Sequence, residues 1–347
     1  MRRKYSPKHS RGQARGPRPF VPVRIPREPK PFALVQIPSF PPQKEEHPTH
    51  ERFWELTGKL ELKMTVVSEY LFVGSGDYEF NLRAGPEEPD VWYTFYRCNG
   101  QICVPGTSIK GAIRSILEAI SNSCVSQASK GESESIEEHH RACSSKQGPR
   151  LCPACRIFGT TGYRGRLNFS DSYPQDRLQI EIVKIPELWQ PRLSTARRFY
   201  KTNQFQPLSD KRPEKNFRFL EAMRKGTKIQ TTMQFENLTK AELGLVLHAL
   251  GWKLEGEKLK EAFCPKLGGA KPRCLGSVKF EPLRLCLLSH SPSSWLGSQI
   301  KEGTELLGFL AECMKACEES GLLYRKSWEE LVGALQPQDA RCPRGAY

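Results

Sequence analysis

Cys152-Pro-Ala-Cys155 sets two thiols at the spacing that forms one side of a tetrahedral metal site. Eight residues separate Cys152 from Cys143, and His139-His140 stand just before it. Cys143 with either His139 or His140 would complete four ligands, and Cys124 is the reserve. A closed set of mixed sulfur and nitrogen donors suits zinc in a structural role better than other metals. The alternative is a reduced pair of core cysteines beside an incidental histidine pair. A second chemistry is phosphate binding. In Val104-Pro-Gly-Thr-Ser-Ile-Lys-Gly-Ala-Ile-Arg114, free N–H groups at a helix start lie beside Ser108, Lys110 and Arg114, a place for an anion. Arg197, Arg198 and Lys201 interleave with Phe199 and Tyr200, a pattern that pairs phosphates and stacks bases of an RNA strand. Gly268, Gly269 and Lys271, in a glycine-rich loop reaching Gly276, let the backbone approach a phosphate that Lys271 and Arg273 would clamp.

The elements that must hold these residues follow from periodicity. Leu60, Leu62, Met64 and Val66 alternate, which predicts a strand over Lys59–Val67. Pro105-Gly106 stops a short strand, and Thr107 or Ser108 then caps a helix bearing Ile109, Ile113, Ile116, Leu117 and Ile120 on one face. Further strands are expected at Leu167–Ser170, Leu178–Ile185, Lys228–Glu236 and Ser277–Leu287. Arg164 and Arg166 flank the first of these. Thr239 caps a helix over Lys240–Trp252, on which His248 reads as a packed core residue. From Trp295 to Leu335 the pattern is helical. Strand, helix, strand, strand, helix, strand around an antiparallel sheet is the ferredoxin-like order of an α+β domain.

The formal charge is +15, from 53 basic and 38 acidic residues, and points to a polyanionic partner. Residues 1–50 carry eleven Lys or Arg against three Glu, with eleven of the 27 prolines. That composition predicts a disordered, basic, Pro-rich tail. No apolar run is long enough for a membrane span, and a cytoplasmic setting is expected. Twelve cysteines in such a chain argue for thiols and a metal rather than a disulfide frame. No P-loop, Rossmann fingerprint or Ser/His/Asp nucleophile set is present.

VPGTSIKGAIR resembles the xPGSSxKGxxR signature of the RAMP superfamily, the guide-RNA-binding proteins of CRISPR systems. Cys152–Gly159 followed by Arg164-Gly-Arg-Leu-Asn-Phe-Ser-Asp171 resembles that family's CxxCRLFG…RGRLxFxD block. Leu267–Val278 resembles its LGGxxxxGxGxV loop, and Phe72–Asp77 its glycine turn after the first strand. The resemblance spans residues 58–287. It implies a ferredoxin-like, RNA-recognition-like core over 51–290 with insertions: a zinc knuckle around 139–155 and a thumb-like hairpin around 186–226. Residues 291–347 are then a helical appendage.

By this resemblance the chain is expected to be a backbone subunit of a multi-subunit CRISPR effector complex. Such a subunit binds guide RNA through Ser108, Lys110, Arg114, Arg164, Arg166, Arg197, Arg198, Lys201, Gly268, Gly269 and Lys271. Its expected partners are guide and target RNA, copies of itself, other effector subunits and a separate nuclease, with no membrane. The alternative is a target-RNA-cleaving endoribonuclease of the same family using magnesium or manganese. Cleaving relatives bear a loop aspartate where this chain has Trp92 or Tyr93; Asp90, the catalytic candidate, is out of register. Binding without cleavage is therefore the expectation.

Overall fold

The computed structural model describes residues 30–128, 134–176, 178–188, 194–208, 210–288 and 298–343. Residues 1–29 of the expected tail lie outside it, but the tail reading is corrected from residue 30 onward. Phe32–Val35 forms strand β1, paired antiparallel with Arg197–Tyr200. Glu45–Glu46 pairs with Arg150–Leu151. Here apolar residues between the prolines, such as Val35, find a buried place that composition averaged over fifty residues does not reveal.

β2 (Leu56–Val66) buries Leu60, Leu62, Met64 and Val66 on one face, as their alternation requires. β3 (Gly74–Phe80) and β4 (Val91–Phe95) form a hairpin. Then come helix α1 (Gly106–Ile120), the short helix α2 (Pro153–Phe158) and β5 (Leu167–Phe169). β6 (Ile180–Pro186), β7 (Arg197–Tyr200), β8 (Thr202–Gln204) and β9 (Phe217–Arg224) occupy the expected thumb region and its borders. β10 (Lys228–Leu238), α3 (Lys240–Ala249) and β11 (Val278–Leu288) follow. The last elements are β12 (Ser298–Lys301), α4 (Gly303–Ser320), α5 (Arg325–Leu335) and β13 (Pro337–Arg341).

The chain is thus mixed α+β. Its main sheet runs β5-β10-β2-β11-β12 with every neighbouring pair antiparallel. α1 lays Ile109, Ile113, Leu117 and Ile120 into the core beside α3. A second sheet runs β6-β9-β4-β3, with β9 and β4 parallel. α3 is apolar almost all round because α4 covers its outer side. The segment expected as an appendage therefore adds an edge strand to the main sheet and buries Leu306, Leu310, Cys313 and Met314. No helix among the described residues is long and apolar enough to cross a membrane.

Two local expectations are corrected. α1 begins at Gly106 without a side-chain cap from Thr107 or Ser108; the Asp171 carboxylate, 65 residues on, accepts the Gly106 N–H at 2.8 Å. Gly106 is required there, since a Cβ would collide with the Phe169 carbonyl. Ten cysteines are free, as expected, but Cys274 and Cys342 form a disulfide. β13 brings Cys342 to the glycine-rich loop, a proximity hidden by 68 residues of separation.

Candidate metal centre and nucleic-acid groove

The Sγ atoms of Cys124, Cys143, Cys152 and Cys155 lie within 4.8 Å of one another, and all four residues are buried. Cys152 and Cys155 come from the start of α2, and Cys124 from the turn after α1. Cys124 Sγ is 3.4 Å from Cys155 Sγ and 3.6 Å from Cys152 Sγ. A zinc–sulfur bond of ~2.3 Å gives a tetrahedral edge of about 3.8 Å, so the four thiols fit one ion. Hydrogen bonding with Cys124 is the largest cause that holds Cys143 and Cys152 below the ordinary thiol range, Cys152 at about 6. Cys124 is pushed up in turn, first by its hydrogen bond with Cys143. Anionic sulfur is what a divalent soft metal takes.

The fourth thiol is Cys124, the reserve ligand, and the expected histidine is corrected. His140 is fully buried with Nε2 on Asn122 Oδ1 at 2.9 Å. His139 Nε2 lies 3.1 Å from Glu137. Burial pushes His140 down to about 4, with His139 the next cause, so it stays neutral in this packing.

The phosphate candidates divide. A groove of about 500 Å³ is lined by Ser108 from α1, Arg198, Phe199 and Tyr200 from β7, and Gly268, Gly269 and Lys271 from the glycine-rich loop. Gly74 of the turn entering β3 also lines it. The loop is closed by Leu267 N–H donating to Gly276 O at 2.8 Å. It is docked by Gly269 N–H donating to Phe72 O at 2.8 Å. Gly268 has φ +70° and leaves no room for a Cβ against Phe72 O. Lys266, which sequence reasoning passed over, lines the same groove. Its place directly before Leu267-Gly268-Gly269 was the available signal. Arg198 sits 4.8 Å over the Phe32 ring.

Other candidates are turned to structural work. Arg114 donates to Glu118 Oε1 at 2.8 Å, to Gly159 O at 2.9 Å and to Cys155 Sγ at 3.5 Å. Arg166 is buried, held by Glu242 at 2.7 Å and by the Arg156 and Asn237 carbonyls. Arg197 donates to Ser123 O at 2.6 Å beside Glu118. Lys110 donates to Asn168 Oδ1 at 2.8 Å, and exposed Arg164 pairs with Glu236 at 2.8 Å. Lys201 is half-buried, its N–H on Pro31 O. None of these six lines the groove. The guanidinium donors of Arg114, Arg166 and Arg197 are spent because interior carboxylates and carbonyls need partners, a demand invisible in a motif.

Asp90 is exposed at the foot of β4, its backbone carbonyl accepting from Asn81 N–H at 2.8 Å. Tyr93 stacks on Tyr78 at 4.4 Å, and the Arg218 guanidinium lies 5.1 Å over its ring. Among the described residues, the four cysteines are the one cluster of three or more such groups close enough to share a metal.

No curated protein matches the chain. The family model described as the RAMP superfamily matches residues 63–268, more than half of the 347 residues. That span holds the helix signature, the Cys152–Cys155 pair and the first glycine of the loop, Gly268. The chain belongs to the RAMP superfamily, the CRISPR-associated family its motifs resemble.

Proposed function

We propose that this chain is a guide-RNA-binding backbone subunit of a cytoplasmic multi-subunit CRISPR effector complex, and that it presents the guide for target-RNA pairing without cutting the target itself. One observation carries the reading: three separated motifs contribute Ser108, Arg198 and Gly268-Gly269-Lys271 to a single groove. Cationic side chains, aromatic rings and closely approachable backbone are what a single RNA strand needs. Its partners are guide and target RNA, further copies of the chain, other effector subunits and a separate nuclease.

The fold reading is a ferredoxin-like core. Its support is that β2, α1, β5, β10, α3 and β11 follow the strand-helix-strand-strand-helix-strand order and sit in the sheet as β5-β10-β2-β11. The cysteine cluster is read as a structural zinc site held by Cys124, Cys143, Cys152 and Cys155. Zinc there would tie the turn after α1 to α2 and hold the helix on the groove's wall. The aromatic pair Trp92-Tyr93, standing where cleaving relatives carry an aspartate, supports binding without cleavage.

The test measures affinity for labelled single-stranded RNA against salt concentration, with Arg198→Ala/Lys271→Ala beside the parent. Losing two phosphate contacts should weaken binding for every sequence and lower the log–log salt slope by about 1.4. An unchanged affinity and slope would refute the groove. Target incubated with the guide-loaded protein and magnesium or manganese should stay intact. Cuts abolished by Asp90→Ala would establish the cleaving alternative instead.

A further inference from the structure

The groove holds two amines, Lys266 buried and Lys271 half-buried. Lys266 is 5% exposed, and among the described residues its side chain makes one hydrogen bond, Nζ to Leu275 O at 3.2 Å. Lys271 follows across the turn of the loop, with burial lowering its affinity for a proton. No carboxylate pairs with either lysine among the described residues. Burying one unpaired ammonium is costly, and two like charges side by side cost more. A buried lysine beside a second amine is favoured when an anion joins the two or when the buried one gives up its proton.

We propose that Lys266 and Lys271 form a two-amine anion subsite on the floor of the groove, that a backbone phosphate of the bound strand occupies it, and that occupation draws a proton onto Lys266. This rests on the RNA-binding reading of the groove.

The free protein is poised for this. Burial, and then the charge of Lys271, push Lys266 down to about 7, into the range where it can gain or lose a proton near neutral pH. The groups facing it are few. From its own segment they are Lys271 and Cys264, a thiol that burial pushes up to about 12 and so keeps neutral. From β7 the groove presents Arg198 and Tyr200; α1 offers Thr107, Ser108 and Ser115, and α5 offers Leu335. No acid on this wall would hold the proton in the absence of a ligand. A phosphate beside Nζ stabilises the ammonium, so binding takes up a proton and weakens as pH rises. The phosphate also explains why a lysine, rather than an apolar residue, fills this position.

The experiment follows RNA affinity from pH 6 to pH 9 at constant ionic strength. Calorimetry at pH 7 in two buffers of different ionisation enthalpy measures proton uptake. The parent should lose roughly tenfold in affinity between pH 7 and pH 8.5 and take up about half a proton per site at pH 7. Lys266→Arg, charged throughout, should bind with a flat profile; Lys266→Gln should bind weakly at every pH, also flat. Circular dichroism checks that each variant folds, and if neither does, the parent's proton uptake decides. Tight RNA binding by the parent with no uptake and no pH dependence would overturn the subsite while leaving the RNA reading intact. Pyrophosphate is the second probe. If RNA fails to bind but pyrophosphate shields Lys266 from reductive methylation more strongly at pH 7 than at pH 9, the subsite stands and the RNA reading falls. If RNA binds, absence of that shielding counts against the subsite.

Discussion

Arg114 Nη2 lies 3.5 Å from Cys155 Sγ, so one guanidinium joins the signature helix to the cysteine cluster. The same side chain reaches Glu118 and Gly159 O, crossing from α1 to the end of α2. A zinc ion with four thiolates carries a net charge of −2, and a cation beside one sulfur offsets part of it. If the cluster holds zinc, the arginine of the motif is placed to support the metal site, with its three nitrogens already engaged by the protein.

Arg114→Ala should speed zinc release to a chelator, with affinity lowered on the order of tenfold. Its RNA salt slope should match that of the parent, because the three guanidinium nitrogens already have partners in the protein. A reduced slope with unchanged zinc retention would reverse this assignment.

Zinc content separates the ligand sets directly. Elemental analysis of the parent should give one zinc per chain. Cys124→Ser should lose it and melt earlier, whereas the His139→Ala/His140→Ala double variant should retain it. Zinc lost from the histidine variant but kept by Cys124→Ser would restore the sequence-based set.

The regular elements were legible because alternation in Leu60–Val66 and the 3.6-residue spacing of Ile109–Ile120 are properties of a single segment. The Cys152–Cys155 pair was legible for the same reason. Cys124 was harder to rank, since α1 and its following turn must fold before it meets a pair some thirty residues away. For Arg114, Arg166 and Arg197, residue type suggested phosphate binding, while their actual partners (Glu118, Glu242, Gly159 O, Ser123 O) depend on tertiary packing. Asp171 as the acceptor at the α1 start is equally nonlocal. The glycine-rich loop, expected from its sequence to approach a phosphate, lines the groove, and the burial of Lys266 directly before it depends on tertiary packing.

The Arg166–Glu242 pair yields a stability prediction. Both side chains are buried, with Nη2 2.7 Å from Oε1, and Arg156 approaches the same carboxylate at 3.6 Å. Arg166→Ala leaves that carboxylate with too few partners and should cost about 3–5 kcal/mol in urea unfolding. Arg166→Met combined with Glu242→Leu should cost markedly less. RNA affinity of whichever variant folds should be unchanged, since Arg166 does not line the groove.

His248 should make the fold acid-sensitive. It is buried on α3 with its ring 4.9 Å from the Trp328 ring, and burial pushes it down to about 4. The folded state prefers the neutral imidazole, so its contribution is fully present above the unfolded value of about 6.5. It is lost as pH falls towards 4, roughly 3 kcal/mol in all. His248→Phe should flatten that part of the stability–pH curve. An identical curve for the variant would place the acid sensitivity elsewhere.

β7 and β8 are held from opposite directions in the chain. β1 pairs with β7, while β13 runs beside β8, where Asn203 reaches Arg341 O across 138 residues of sequence. The segment carrying Arg198, Phe199 and Tyr200 therefore waits for a stretch synthesised much later. A nascent chain that has reached residue 250 on the ribosome already contains α1 and α3, yet its β7–β8 pair still lacks one flank. Closing that long loop is entropically expensive and slow. The groove wall that carries Arg198, Phe199 and Tyr200 is thus completed late in biogenesis, after the core that supports it.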